Sequence, residues 1–180
     1  MIHILKSYLK FLWKSKNEHG VHSPFVFDLT TKCFYDKTIY PEYSILKNYR
    51  KSLLENKSSI EVSDFGAGSR VFKSNKRQIS KIAKTAGISA KHAELLFRIV
   101  RYFQPNQILE IGTSLGLASS ALSLGNLKSE ITSLEGCPNT ITIAKNQFLK
   151  LNFNNVNFVQ TEFSSYMKSA NLKSVICNPK

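Results

Sequence analysis

Two carboxylates and two glycines in the second half of the chain have the types and spacing to hold a nucleoside-type cofactor. Glu110, Gly112 and Gly116 stand in the run L-E-I-G-T-S-L-G, and Glu135 follows Glu110 by 25 residues in T-S-L-E-G. Glycines let a backbone approach a ligand with no Cβ in the way. A helix that begins directly after them offers N–H groups to an anionic end of the ligand. An acid at the end of the next strand can accept hydrogen bonds from two ribose hydroxyls.

A second glycine run, V-S-D-F-G-A-G-S-R at 62–70, competes for the same role. It is followed by R-V-F-K-S-N-K-R-Q, which has no clean helix start, and no acid-terminated strand comes at a suitable distance. It therefore reads as a tight turn leading into a helical layer, in preference to a lid over the cofactor. The later run also fails the dinucleotide pattern G-x-G-x-x-G, because Ser114 and Leu117 occupy glycine positions. An NAD-dependent enzyme is the least favoured outcome. The expected ligand has an amino-acid end and a nucleoside end.

The elements that must position these residues follow from periodicity. Gln107–Ile111 is apolar and β-prone, Gly112–Gly116 forms a turn, and Leu117–Leu124 is a helix that Gly125 stops. Glu130–Leu134 is the second strand, ending at Glu135, and Pro138 opens a helix to about Lys150. Val156–Gln160 is a third strand, Ser164–Ala170 a polar helix, and Ser174–Cys177 the start of a fourth strand. Strands alternating with helices predict an α/β fold with a parallel sheet. Upstream, 2–14 reads as an amphipathic helix, 41–57 as a polar helix, and 76–103 as helical with Ser89 capping a second helix.

These residues carry a family resemblance. L-E-I-G-T-S-L-G followed by T-S-L-E-G resembles motif I and the acidic second-strand end of class I S-adenosylmethionine-dependent methyltransferases. It is most similar to the branch with many small-molecule O-methyltransferases. H-G-V-H-S-P-F and D-F-G-A-G-S are similar to N-terminal regions of bacterial methyltransferases of this type. The resemblance spans roughly 76–177, with departures at Ala118 and Thr161. It implies a Rossmann-like sheet with helices on both faces, and S-adenosyl-L-methionine as cofactor. Glu110 would orient the loop and help hold the cofactor's ammonium group. Gly112, Thr113, Ser114 and Gly116 would form the turn against the methionine portion, and N–H groups near Gly116 and Leu117 would meet its carboxylate. Glu135 would hold the ribose, with Gly136 and Cys137 flanking the adenine and Glu162, within Gln160–Phe163, at its edge. A complete domain of this class has seven strands, so a C-terminally truncated form, with the acceptor half largely absent, is expected.

This divides the chain into an N-terminal helical and loop extension, 1–75, and an incomplete Rossmann-like cofactor-binding domain, 76–180. The expected activity is methyl transfer to a small-molecule acceptor, a hydroxyl by preference, with no catalytic base and no metal set identified. His19 and His22 lack companion ligands, which favours a structural or substrate-lining role. The formal net charge is +13, and 70–91 carries seven basic residues and no acid. An RNA-directed methyltransferase using Arg70–Lys91 is one alternative. A non-catalytic remnant that dimerises through an exposed sheet edge is another. The three cysteines form no C-x-x-C, and no segment has signal-peptide or membrane-span character, which suits a cytoplasmic protein with no membrane partner.

Overall fold

Helical periodicity and chain punctuation decide where the first elements form. In the computed structural model, which describes residues 2–15, 20, 22–63, 69 and 71–169, the chain divides into two units, Met1–Thr38 and Ile39–Lys180. The first unit contains α1 (Ile2–Lys14), α2 (Pro24–Leu29) and a π-helical turn, Thr30–Phe34. Ser23 caps α2 by accepting a bond from Val26 N, and Pro24 sits at the first helical position, where its missing N–H costs nothing. No helix among the described residues is long and apolar enough to cross a membrane.

The second unit begins with α3 (Glu42–Glu55), which buries Leu46, Tyr49 and Leu53 along one stripe. Two short strands, β1 (Ser59–Glu61) and β2 (Lys76–Gln78), pair antiparallel with Ser59 opposite Gln78. Residues 76–78 are thus strand, where the sequence pattern predicts the start of a helix. Three polar residues show no apolar period, and pairing across the intervening loop overrides their helix propensity. The helix α4 (Ile79–Thr85) begins at Ile79, and Ile79, Ile82 and Ala83 are buried. Ser89 accepts a bond from His92 N and caps α5 (Ala90–Phe103), as its position predicts.

The alternating segments then form β3 (Gln107–Ile111), α6 (Leu117–Gly125), β4 (Glu130–Glu135), α7 (Pro138–Lys150), β5 (Val156–Gln160) and α8 (Phe163–Ser169). Gly125 is the last residue of α6, not the residue beyond it. The three strands are parallel in the order β3-β4-β5. The register sets Ile111 beside Leu134 and Glu135 beside Gln160, so the strand ends lie level. The predicted strand at 174–177 and His19 lie outside the described residues.

The core holds these strand ends in place from both sides. Ile131, Ser133 and Leu134 of the central strand are buried, as expected of a parallel strand covered by helices. Phe148 of α7 makes edge contacts with Tyr49, Phe153 and Phe158. Phe97 of α5 is fully buried and packs between Tyr40 and Tyr43. Truncation there removes both burial and ring contacts, so Phe97→Ala is expected to lower the unfolding free energy by about 3–5 kcal/mol. Phe103→Ala on the same helix, where the side chain is half exposed, should change it by less than about 1 kcal/mol. Urea titrations of the two variants check this.

Candidate functional site

The turn between β3 and α6 is built by two left-handed glycines and held by the neighbouring strand. Gly112 has φ +96° and Gly116 φ +77°, values that L side chains rarely adopt. Ser114 between them also has positive φ, 49°. Gly112 N and Thr113 N both donate to Leu134 O, at 2.9 and 3.0 Å, which fastens the turn to β4. Gly116 N donates to Thr113 O at 2.9 Å, so this donor is used inside the turn. A Cβ on Gly116 would lie 2.6 Å from the Tyr49 hydroxyl and 3.1 Å from Ala144 Cβ. The glycine is required by the close approach of α3 and α7 as well as by its φ.

Glu135 closes the arrangement from the end of β4. Its Oε2 accepts from Ser114 N at 2.6 Å and its Oε1 from Cys137 N at 2.9 Å. One carboxylate thus ties both strand-end turns together. Each oxygen keeps further lone-pair capacity for a ligand. Thr161 N donates to the Glu135 carbonyl at 3.0 Å and adds the end of β5 to the same cluster.

Glu110 lies beneath this layer and is buried. Its Oε2 accepts from Ser119 Oγ at 2.6 Å and from Ser133 Oγ, which ties β3 to α6 and β4. Thr113 and Ser133 hydroxyls are also bonded, at 2.5 Å. Glu110 Oε1 is buried with no hydrogen-bond partner, and such an atom ordinarily has one. Burial pushes the Glu110 pKa up; the Ser119 and Ser133 bonds oppose this and the Glu135 charge adds to it. Tyr49, whose hydroxyl donates to Leu115 O at 2.8 Å, is likewise shifted upward, by burial and then by Glu110.

Five of the residues singled out by sequence border one cavity of about 660 Å³: Ser114, Glu135, Gly136, Cys137 and Glu162. Glu110 and Thr113 are buried and do not border it, and Gly112, Gly116 and Leu117 belong to the same turn and helix start as Ser114. The cavity's opposite wall comes from outside the later glycine motif. Val62, Phe72, Arg77, Ile82 and Ala86, from the β1–β2 region and α4, all face the same space. The earlier glycine run, read from the sequence as a tight turn in preference to a lid, contributes Val62, Ser63 and Ser69 to this wall, and Phe72 follows it closely. Residues 64–68 and 70 of that run lie outside the described residues. Among the described residues, no group of three or more His, Cys, Asp and Glu could hold a metal ion.

No family model and no curated protein matches the chain. Solved structures do. An SAH-bound methyltransferase of Podospora anserina is 18% identical with a TM-score of 0.52, over 86% of this chain and 56% of its own. The O-methyltransferase of Bacillus cereus in complex with SAH is 15% identical with a TM-score of 0.44, over 86% and 58%. An O-methyltransferase of tomaymycin synthesis from Streptomyces achromogenes, in complex with SAM, is 14% identical with a TM-score of 0.43, over 83% and 54%. This chain spans a little over half the length of each. The Podospora likeness establishes the fold, a mixed α/β Rossmann-like architecture.

The buried carboxylate gives a pH test of the site. The folded chain keeps the Glu110 proton at pH values where the unfolded chain has released it. Its contribution to stability is therefore complete below the ordinary carboxylate pKa and is lost as pH rises from there through the raised folded value. Unfolding free energies measured in urea across that range should fall with pH in the wild type and stay flatter in Glu110→Gln. Superimposable pH profiles would show that the carboxylate is not held in a desolvating site.

Proposed function

We propose that the chain binds S-adenosyl-L-methionine across the ends of β3, β4 and β5 and belongs to an enzyme that transfers its methyl group to a small-molecule acceptor, a hydroxyl by preference. The observation that carries this is Glu135. It ends the second strand of a Rossmann-like sheet, it is aimed by Ser114 N and Cys137 N, and it borders the 660 Å³ cavity. That volume is in the range of small-molecule and cofactor sites.

The donor set fits the group. Glu135 has lone pairs left for two ribose hydroxyls, and Gly136 and Cys137 adjoin it where the base would lie. Glu162 and Thr161 supply polar groups for a purine edge. The turn at Gly112–Gly116 admits a methionine chain close to the backbone, and the unpartnered Glu110 Oε1 suits its ammonium group. The bound cofactor supplies a sulfonium-activated methyl group. The protein's part in such a displacement is chiefly to hold the two reactants in line and to exclude water.

A second acceptor class rests on a separate observation. Lys73, Lys76, Arg77, Lys81 and Lys84 border a groove of about 630 Å³ that shares Phe72 and Arg77 with the cofactor cavity. An RNA acceptor would use that groove. Its binding would then weaken by orders of magnitude between about 50 and 200 mM salt; a salt-insensitive or undetectable RNA interaction removes this alternative.

Calorimetric titration with S-adenosylhomocysteine tests the main proposal. The wild type should bind, and Glu135→Ala should bind more than about tenfold more weakly, because charge-assisted hydrogen bonds contribute about 1.5–3 kcal/mol each. No binding by the folded wild type, or equal binding by the variant, would overturn it.

A further inference from the structure

The wall of the cavity that faces the strand ends has its own construction. Ser63 N donates to Cys137 Sγ at 3.4 Å, and Asn139 Nδ2 donates to Glu61 O at 2.7 Å. These bonds dock the chain leaving β1 onto the turn that follows Glu135. On the returning chain, Ser69 Oγ accepts from Val71 N and Phe72 N, at 3.2 and 3.1 Å, which fixes the backbone at Phe72. The Arg77 guanidinium sits over the Phe72 ring, 5.0 Å from its centroid, and Arg77 Nε donates to Ser74 O at 3.3 Å. Both side chains border the cavity, among the apolar Val62, Val71, Ile82 and Ala86 and the hydroxyl residues Ser63, Ser69 and Thr85.

The two sides of the cavity therefore differ in chemistry. The strand-end side presents carboxylates, hydroxyls and backbone groups, which suit a ribose and the polar edge of a base. The opposite side presents an aromatic ring with a guanidinium over it in a mostly apolar surround, which suits the flat face of a purine. Resting on the cofactor proposal above, we propose that Phe72, with Arg77 held against it, forms the stacking wall for the cofactor's adenine. The segment before α4 would then bind cofactor as directly as the glycine turn does. Specificity for a purine nucleoside would come from this wall, and ribose recognition from Glu135.

The test uses the full chain with S-adenosylhomocysteine as probe, in two arms. In the first, nuclear Overhauser contacts are sought between the adenine H2 and H8 protons and isotope-labelled phenylalanine rings. Contacts to Phe72, assigned by their loss in Phe72→Leu, are expected. In the second, calorimetry compares Phe72→Leu, Phe72→Tyr and Arg77→Ala. Phe72→Leu should bind about tenfold or more weakly, since a base–aromatic stack is a substantial part of nucleoside affinity. Phe72→Tyr should bind within about threefold of wild type, and Arg77→Ala should fall between them. Binding by the wild type without Phe72 contacts, or with Phe72→Leu unimpaired, overturns the stacking wall and leaves the Glu135 site standing. Absence of wild-type binding overturns both. The contacts are read on the wild-type chain, so a poorly folding variant does not protect the proposal.

Discussion

The carboxylate of Glu135 is the point on which the site depends. Two N–H groups from different turns, those of Ser114 and Cys137, converge on its two oxygens. A backbone in the left-handed region at Ser114 is unfavourable for a residue with a side chain. A charge-assisted bond to that residue's own N–H helps to offset the cost. The turn and the acid therefore hold each other in shape. The parallel register makes this geometry available by setting Ile111 beside Leu134, so that the turn after β3 reaches the residue at the end of β4.

Beneath that layer lies a second, drier one. Glu110, Thr113, Ser119 and Ser133 join β3, β4 and α6 through hydroxyls and one buried carboxylate. Such a network costs desolvation, which is visible in the upward shift of the Glu110 pKa. It returns fixed positions for three elements that carry the glycine turn. Tyr49 adds the same effect from α3, with its hydroxyl on Leu115 O and its ring against Phe148. The N-terminal part of the second unit is thus a buttress for the glycine turn, and α3 shares one core with the α/β layer.

Charge acts differently on the two sides of this cavity. The Glu135 carboxylate at the end of β4 is held by hydrogen bonds in a partly buried position, where its interactions are weakly screened. The lysines at 73–84 are exposed, so their field attracts anions over the Debye length and weakens with salt. Arg77 belongs to both settings. It lines the basic groove and the apolar wall, and its guanidinium carbon lies over the Phe72 ring, 5.0 Å from the centroid.

Local patterns were sufficient for the elements of the α/β layer. Gln107–Ile111 and Val156–Gln160 are strands within the limits that apolar runs and punctuation predict, and Ser89 and Pro138 start helices as capping chemistry requires. The spacing of Glu110, Gly112, Gly116 and Glu135 also marks one bonded turn, because a strand–turn–helix unit and the next strand end are hydrogen-bonded neighbours. The pairing of Lys76–Gln78 with Ser59–Glu61 has no local signature, since those polar residues become a strand only by meeting a partner some seventeen residues away. The wall at Phe72 and Arg77 is likewise a product of tertiary docking, through Asn139 and Cys137. The sequence by itself determined the strand-end half of the site, where chemistry and chain proximity coincide. Only the tertiary structure decided the facing half, because the bonds that bring it there join residues more than seventy positions apart.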